Sequence, residues 1–198
     1  MAPGNTYSTA AVERGDRVDI LDVIKGEHRD VAAKLEEADK CEPGSARLTE
    51  LAKEISTALV THTKIEERLF YAKLRERSKD GEERVDLFEA YTEHDVVAHL
   101  IDLLKSGRKP DEKFKAEMQV LGESVKHHVH EEESKVFKIA RELMDQSERD
   151  DLGEQWAKAR KRADAQPPAR ARKAPARKKA PARKKAPARS KKTPRKRR

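Results

Sequence analysis

In 198 residues the chain has one cysteine, one tryptophan, three tyrosines and four phenylalanines, and each shortage removes a class of protein. A lone Cys41 excludes an intrachain disulfide. Strand-favouring aromatics are few and no Asn-Gly turn or alternating apolar pattern occurs, which argues against β-hairpins. No run approaches the ~18 apolar residues needed to cross a bilayer. Met1 to Gly15 contains no apolar core of a signal peptide, so the reading is a soluble, cytoplasmic protein with no membrane partner.

What is abundant is Ala, Glu, Lys, Arg and Leu, the strong helix formers. Residues 1–15, with Pro3, Gly4 and Asn5, read as a flexible leader. From Asp16, taken as a cap, Ile20, Ile24, His28, Val31 and Leu35 recur at helical spacing to about Lys40. Cys41-Glu-Pro-Gly-Ser45 stops that helix, and Ser45 caps a second carrying Leu48, Leu51, Ile55, Leu59, His62, Glu66 and Leu69 to about Arg77. A third, from about Glu82, places Leu87, Tyr91, His94, Ala98 and Ile101 on one face. Asp111 caps a fourth with Phe114, Met118, Leu121, Val125, His128, Glu132 and Val136. The expectation is all-α: an antiparallel up-and-down four-helix bundle over 16–145, a short accessory helix over 146–161 with Leu152 and Trp156, and a disordered basic tail over 162–198.

Each helix interrupts its apolar stripe with one histidine. Counted from the connecting loops, paired histidines differ in level by three to five residues, roughly 4 to 8 Å at ~1.5 Å per residue. An up-and-down bundle therefore gathers His28, His62, His94 and His128 into one layer. Glu66 and Glu132 follow His62 and His128 by four residues, so each shares its histidine's face. Six such groups in a core cost several kcal/mol each unless satisfied, and a metal centre satisfies them. Imidazole suits iron, zinc, copper and nickel; carboxylates bridge paired ions; helix bundles are a known platform for two irons or manganese. The histidines are read as terminal ligands and Glu66 and Glu132 as bridges to two iron ions, with manganese or zinc compatible with the same donors.

One His, then His-x3-Glu, then one His, then His-x3-Glu, in the wording Glu27-His28, His62-Thr-Lys-Ile-Glu66-Glu-Arg-Leu-Phe70, Glu93-His94 and His127-His128-Val-His-Glu-Glu-Glu-Ser-Lys-Val-Phe137, resembles the hemerythrin-like (HHE cation-binding) family over about Asp16 to Met144. The resemblance implies a non-haem di-iron bundle that binds oxygen, nitric oxide or peroxide, or senses or stores iron. Oxygen-carrying members have a second histidine one turn beyond the third-helix ligand. Ala98 stands at that place here, which leaves Glu67 or solvent to complete one iron and favours redox or sensing chemistry over oxygen carriage. His62 to Phe70 is eight positions and His128 to Phe137 nine. A π-bulge in the fourth helix absorbs the extra residue and can turn Glu133 inward as the bridge, whereas regular geometry selects Glu132. Tyr91, one turn before His94, is a candidate to bring a hydroxyl to a bound ligand. Phe70 and Phe137 are read as packing residues that exclude water from the site.

The charge is split. Lys161 to Arg198 holds 18 basic residues and one acid, so the preceding 160 residues hold 27 basic against 36 acidic, a net −9 beneath the overall +8. Ala174-Pro-Ala-Arg-Lys-Lys179 repeats as Ala180 to Lys185, and six of the nine prolines lie beyond Ala163. Such a segment cannot form a core. It resembles the tails of linker histones and bacterial nucleoid-associated proteins. Arg177, Lys178, Lys179, Arg183, Lys184, Lys185, Lys191, Lys192, Arg195, Lys196, Arg197 and Arg198 are the candidate contacts to DNA. Without interleaved aromatics, the mode is sequence-independent phosphate contact. Six phosphate contacts give a log–log salt slope of roughly −5. Acidic proteins, anionic lipid or the chain's own acidic body are the competing partners. The opposing function class is an architectural DNA-binding protein with a structural metal.

Overall fold

The computed structural model describes residues 18–79, 81–104 and 109–165, all of which lie within one unit, Met1–Gln166. The leader over 1–15 and all the candidate DNA contacts lie outside the described residues. Helix α1 (Ile20–Lys40) opens on Asp19, whose carboxylate accepts from the Leu21 backbone N–H at 2.9 Å. Asp16, the cap expected from the sequence, lies outside the described residues. Helix α2 (Ala46–Glu66) is capped by Ser45, which accepts from the Leu48 N–H, and continues through a π-turn (Glu67–Tyr71) into α3 (Ala72–Arg77). Helix α4 (Gly81–Leu104) follows. Helix α5 (Glu112–Glu131), capped by Asp111 through the Phe114 N–H, runs through a second π-turn (Glu132–Val136) into α6 (Phe137–Leu143). Helix α7 (Gln146–Ala165) continues four residues past the expected end at 161.

The bundle closes as a ring in which α1 packs on α2, α2 on α4, α4 on α5, and α5 back on α1. The expected all-α bundle is what forms, and among the described residues there is no strand. No helix of the described residues is long and apolar enough to cross a membrane. The core is in two slabs. One holds Ile20, Ile24, Phe70, Tyr71, Leu74, Leu87, Phe137 and Trp156; the other holds Leu35, Leu48, Leu51, Ile55, Ile101, Phe114, Met118 and Leu121. Between them lies a buried polar layer, which one continuous apolar core would not contain. Each slab gains roughly 1.5–3 kcal/mol per buried large apolar side chain, so the slabs can offset a polar layer that alone is unfavourable.

Helix α7 lies against α1 and the end of α2. Arg149 donates to Asp19 at 2.8 Å, and Arg77 bridges the Leu143 carbonyl to Glu148. Gly153 is required at the crossing: a Cβ there would sit 1.9 Å from the carbonyl oxygen of Val18.

Candidate metal centre

His28, His62, His94 and His128 come one each from α1, α2, α4 and α5, and all are at least 93 % buried. Each has a glutamate at its Nδ1, always at 2.9 Å: Glu133 for His28, Glu27 for His62, Glu67 for His94 and Glu93 for His128. Each glutamate comes from the helix preceding its histidine in the ring, or from the π-turn that continues that helix, so the set closes on itself: α1 serves α2, the turn after α2 serves α4, α4 serves α5, and the turn after α5 serves α1. An Nδ1–H donated to a carboxylate fixes the ring's orientation and tautomer and leaves the Nε2 lone pair free. All four Nε2 atoms turn inward.

Two carboxylates meet them. Glu66 Oε2 lies 3.4 Å from His62 Nε2 and 3.3 Å from His94 Nε2, and Glu132 Oε2 lies 3.2 Å from His28 Nε2 and 4.0 Å from His128 Nε2. Glu66 is wholly buried and Glu132 is 1 % exposed. Tyr71, also wholly buried, donates its hydroxyl to Glu132 Oε1 at 3.0 Å and stacks on His94 with ring centroids 5.4 Å apart. The donors fall into two groups, His28–His62–Glu66 and Glu66–His94–His128, each compact enough to hold a metal ion and sharing Glu66.

Polar atoms in the layer are left over. His28 Nε2, His62 Nε2, both oxygens of Glu66 and Glu132 Oε2 are buried without a hydrogen bond. His94 Nε2 and His128 Nε2 face each other at 3.1 Å. With both Nδ1 protons committed to glutamates, those two lone pairs repel unless a proton or a cation lies between them. The donor set therefore fits a cation on the geometry of the protein alone.

The electrostatics agree. Burial disfavours the imidazolium of His62, yet the carboxylates of Glu66 and Glu27 outweigh it and raise its pKa well above the usual value. Burial likewise opposes charge on His28 and His94, and Glu132 with Glu133 in the first case and Glu66 with Glu67 in the second again raise the pKa. Burial would raise Glu66, but His62 and His94 hold it well below the ordinary carboxylate value. Burial, reinforced by Glu132 and Glu66, pushes Tyr71 well above the phenol value, so it remains a proton donor. Protons and a divalent cation compete for the same atoms.

Several sequence expectations change here. The π-turn expected in the fourth helix is present, and a second one follows the His62–Glu66 turn as well. The extra residue disappears with it: Tyr71 stands nine residues after His62 as Phe137 stands nine after His128, and both are wholly buried. The π-turn that follows α5 begins at Glu132, after the His128–Glu132 turn is complete, so Glu132 faces in and Glu133 serves His28 from outside. Glu67 is likewise taken up at His94 Nδ1 and does not turn its carboxylate to the centre. Ala98 is exposed; Val97 is the inward residue one turn beyond His94, and with Val31, Leu59, Val125 and Val129 it lines an apolar cavity of ≈ 20 Å³ beside the four histidines. Tyr91 donates to the Glu67 backbone carbonyl at 3.4 Å, and the hydroxyl in the layer belongs to Tyr71. His127, 65 % exposed, pairs with Glu93, while His99 and His130 face solvent.

Sequence reasoning gave Glu27 and Glu93 no role and read Glu67 and Glu133 as candidate metal contacts, not as partners of a histidine Nδ1. Their signal was the doubled wording Glu27-His28, Glu66-Glu67, Glu93-His94 and Glu132-Glu133. Trp156 also went unassigned: its Nε1 donates to Glu27 Oε1 at 3.0 Å, and Arg160 reaches Glu27 Oε2 at 3.2 Å. No curated protein and no solved structure matches the chain. Residues 19–140 match the hemerythrin HHE cation-binding domain. That span covers well over half of the sequence and contains all four histidines, both inner carboxylates and the four outer ones, and the chain belongs to the hemerythrin HHE cation-binding family.

Proposed function

We propose that the buried layer holds two non-haem iron ions and that the protein binds oxygen, nitric oxide or peroxide there, for sensing, detoxification or iron handling. The observation that carries this reading is the convergence of four Nε2 lone pairs and the unpartnered oxygens of Glu66 and Glu132 in one buried layer. His28 and His62 would hold one ion, His94 and His128 the other, with Glu66 and Glu132 spanning both. Bound there, iron would supply reversible one-electron chemistry and an open coordination position for a small ligand.

The protein's own groups do the remaining work. The four outer glutamates hold the imidazoles in the ligating tautomer. Tyr71 orients Glu132 and keeps a proton available at its Oε1 side. The small cavity beside the histidines, walled on its other side by valines and Leu59, would favour a small uncharged ligand. Purified protein should contain about two irons per chain and show a near-ultraviolet charge-transfer absorption that Glu66→Ala abolishes. Iron-free protein with undiminished stability would overturn the reading.

A second activity rests on charge. The 18 basic residues from Lys161 onward, set against an acidic remainder, support sequence-independent tethering to DNA, which would place the centre on the nucleoid. That reading requires DNA affinity to fall with salt at a log–log slope of roughly −5. DNA binding that survives iron removal, with no response to oxygen, nitric oxide or peroxide in the loaded protein, would favour the architectural role with a structural metal.

A further inference from the structure

We infer that α7 makes the two metal positions unequal, with Trp156 and Arg160 acting through Glu27 as positioning residues for the ion held by His28 and His62. The inference rests on the di-iron reading and goes beyond it. Helix α7 begins at Gln146, after the family match ends at residue 140.

The four outer glutamates share one geometry but not one environment. Glu67 is 38 % exposed, Glu133 31 % and Glu93 17 % at the side chain, whereas Glu27 is 5 % exposed. A carboxylate at the surface divides its lone pairs between its histidine and water, and its side chain keeps rotamer freedom. Glu27 has neither outlet. Its Oε2 accepts from His62 Nδ1 at 2.9 Å and from Arg160 at 3.2 Å, and its Oε1 accepts from Trp156 Nε1 at 3.0 Å. Trp156 is wholly buried, and its ring meets the edge of His62 at 5.4 Å and 67°. His62 is thus held by a hydrogen bond to a carboxylate that is itself fixed from two sides, and by an indole against its ring. The His94–His128 position has no contact of this kind from α7; its aromatic neighbour is Tyr71, stacked on His94.

A ligand already locked in its binding rotamer loses less freedom when the ion arrives, so the His28–His62 position should bind more tightly and fill first.

The test is an anaerobic titration of metal-free full-length protein with ferrous iron against a chromophoric chelator, for wild type, Trp156→Phe, Arg160→Gln and Arg160→Lys. Wild type should take up two ions in resolved steps. Trp156→Phe keeps the ring and removes the N–H; it and Arg160→Gln should weaken one step by about tenfold or more and leave the other within about twofold, while Arg160→Lys restores most of the loss. A packing role alone would lower the melting temperature and leave the ratio of the two constants as in wild type; that result, or equal weakening of both steps, overturns the inference. Arg160 is partly exposed, so Arg160→Gln decides the matter if Trp156→Phe does not fold. A wild type that takes up no iron would refute the di-iron reading instead.

Discussion

At the scale of single residues, two neighbouring glutamates illustrate how one helical position separates two chemistries. Glu132 is buried with its Oε2 unpartnered among the histidines, and Glu133 stands one residue on, 31 % exposed, at the far nitrogen of His28. Glu132→Ala should therefore drop iron content below two per chain. Glu133→Ala should keep two ions and weaken binding by about 10–100-fold, as loss of an outer partner typically does. Metal analysis of both variants checks this, and the reverse pattern would move the bridging carboxylate to Glu133. Tyr71 carries the same lesson. Its hydroxyl is wholly buried and has one acceptor, Glu132, and its ring supplies the face on which His94 rests.

At the scale of elements, the π-turns and α7 do what regular helices could not. A π-turn widens the helix by one residue, and in each case the ninth residue after the histidine, Tyr71 or Phe137, is wholly buried in the core. Helix α7 approaches the segment leading into α1 so closely that only glycine fits opposite Val18. Gly153→Ala must shift that backbone, at a cost of about 1–3 kcal/mol by analogy with overpacked cores. The protein has a single tryptophan, so Gly153→Ala should lower the melting temperature and red-shift the emission of Trp156 together. Unchanged melting and emission would show that α7 is not held at this crossing.

For the whole molecule, the polar layer links stability to pH and to metal. Three imidazoles have pKa values raised above the ordinary 6.5. Their contribution to metal-free stability is complete below 6.5 and is lost as pH rises through the raised values. Glu66 and Glu27 lie below the ordinary 4.5, so their contribution is complete above 4.5 and is lost as pH falls through the lowered values. Metal-free protein should then melt highest at mildly acidic pH, between these limits. Iron competes with the imidazole protons, so the melting increment on adding it should be larger near about pH 8 than near about pH 5.5. Thermal melts with and without chelator across pH measure both, and a flat metal-free profile would contradict the charge state assigned to the layer.

How much of this was legible beforehand follows from what sets each feature. Local signals fixed the helices: Ser45 and Asp111 cap where their side chains can reach an N–H three residues on, and apolar spacing placed the buried faces. His-x3-Glu was legible because four residues return a helix to the same face, and the level of each histidine followed from helix length. The four histidines and two inner carboxylates of the layer were therefore legible in the sequence, whereas Tyr71 was not. What only the tertiary structure decided was which partner each group takes. Glu27 adjoins His28 in the chain but serves His62, and Glu93 adjoins His94 but serves His128, because neighbouring residues on a helix point about 100° apart and meet different helices. Trp156 is 129 residues from Glu27; no periodicity reports such a contact, which exists because α7 folds back onto α1.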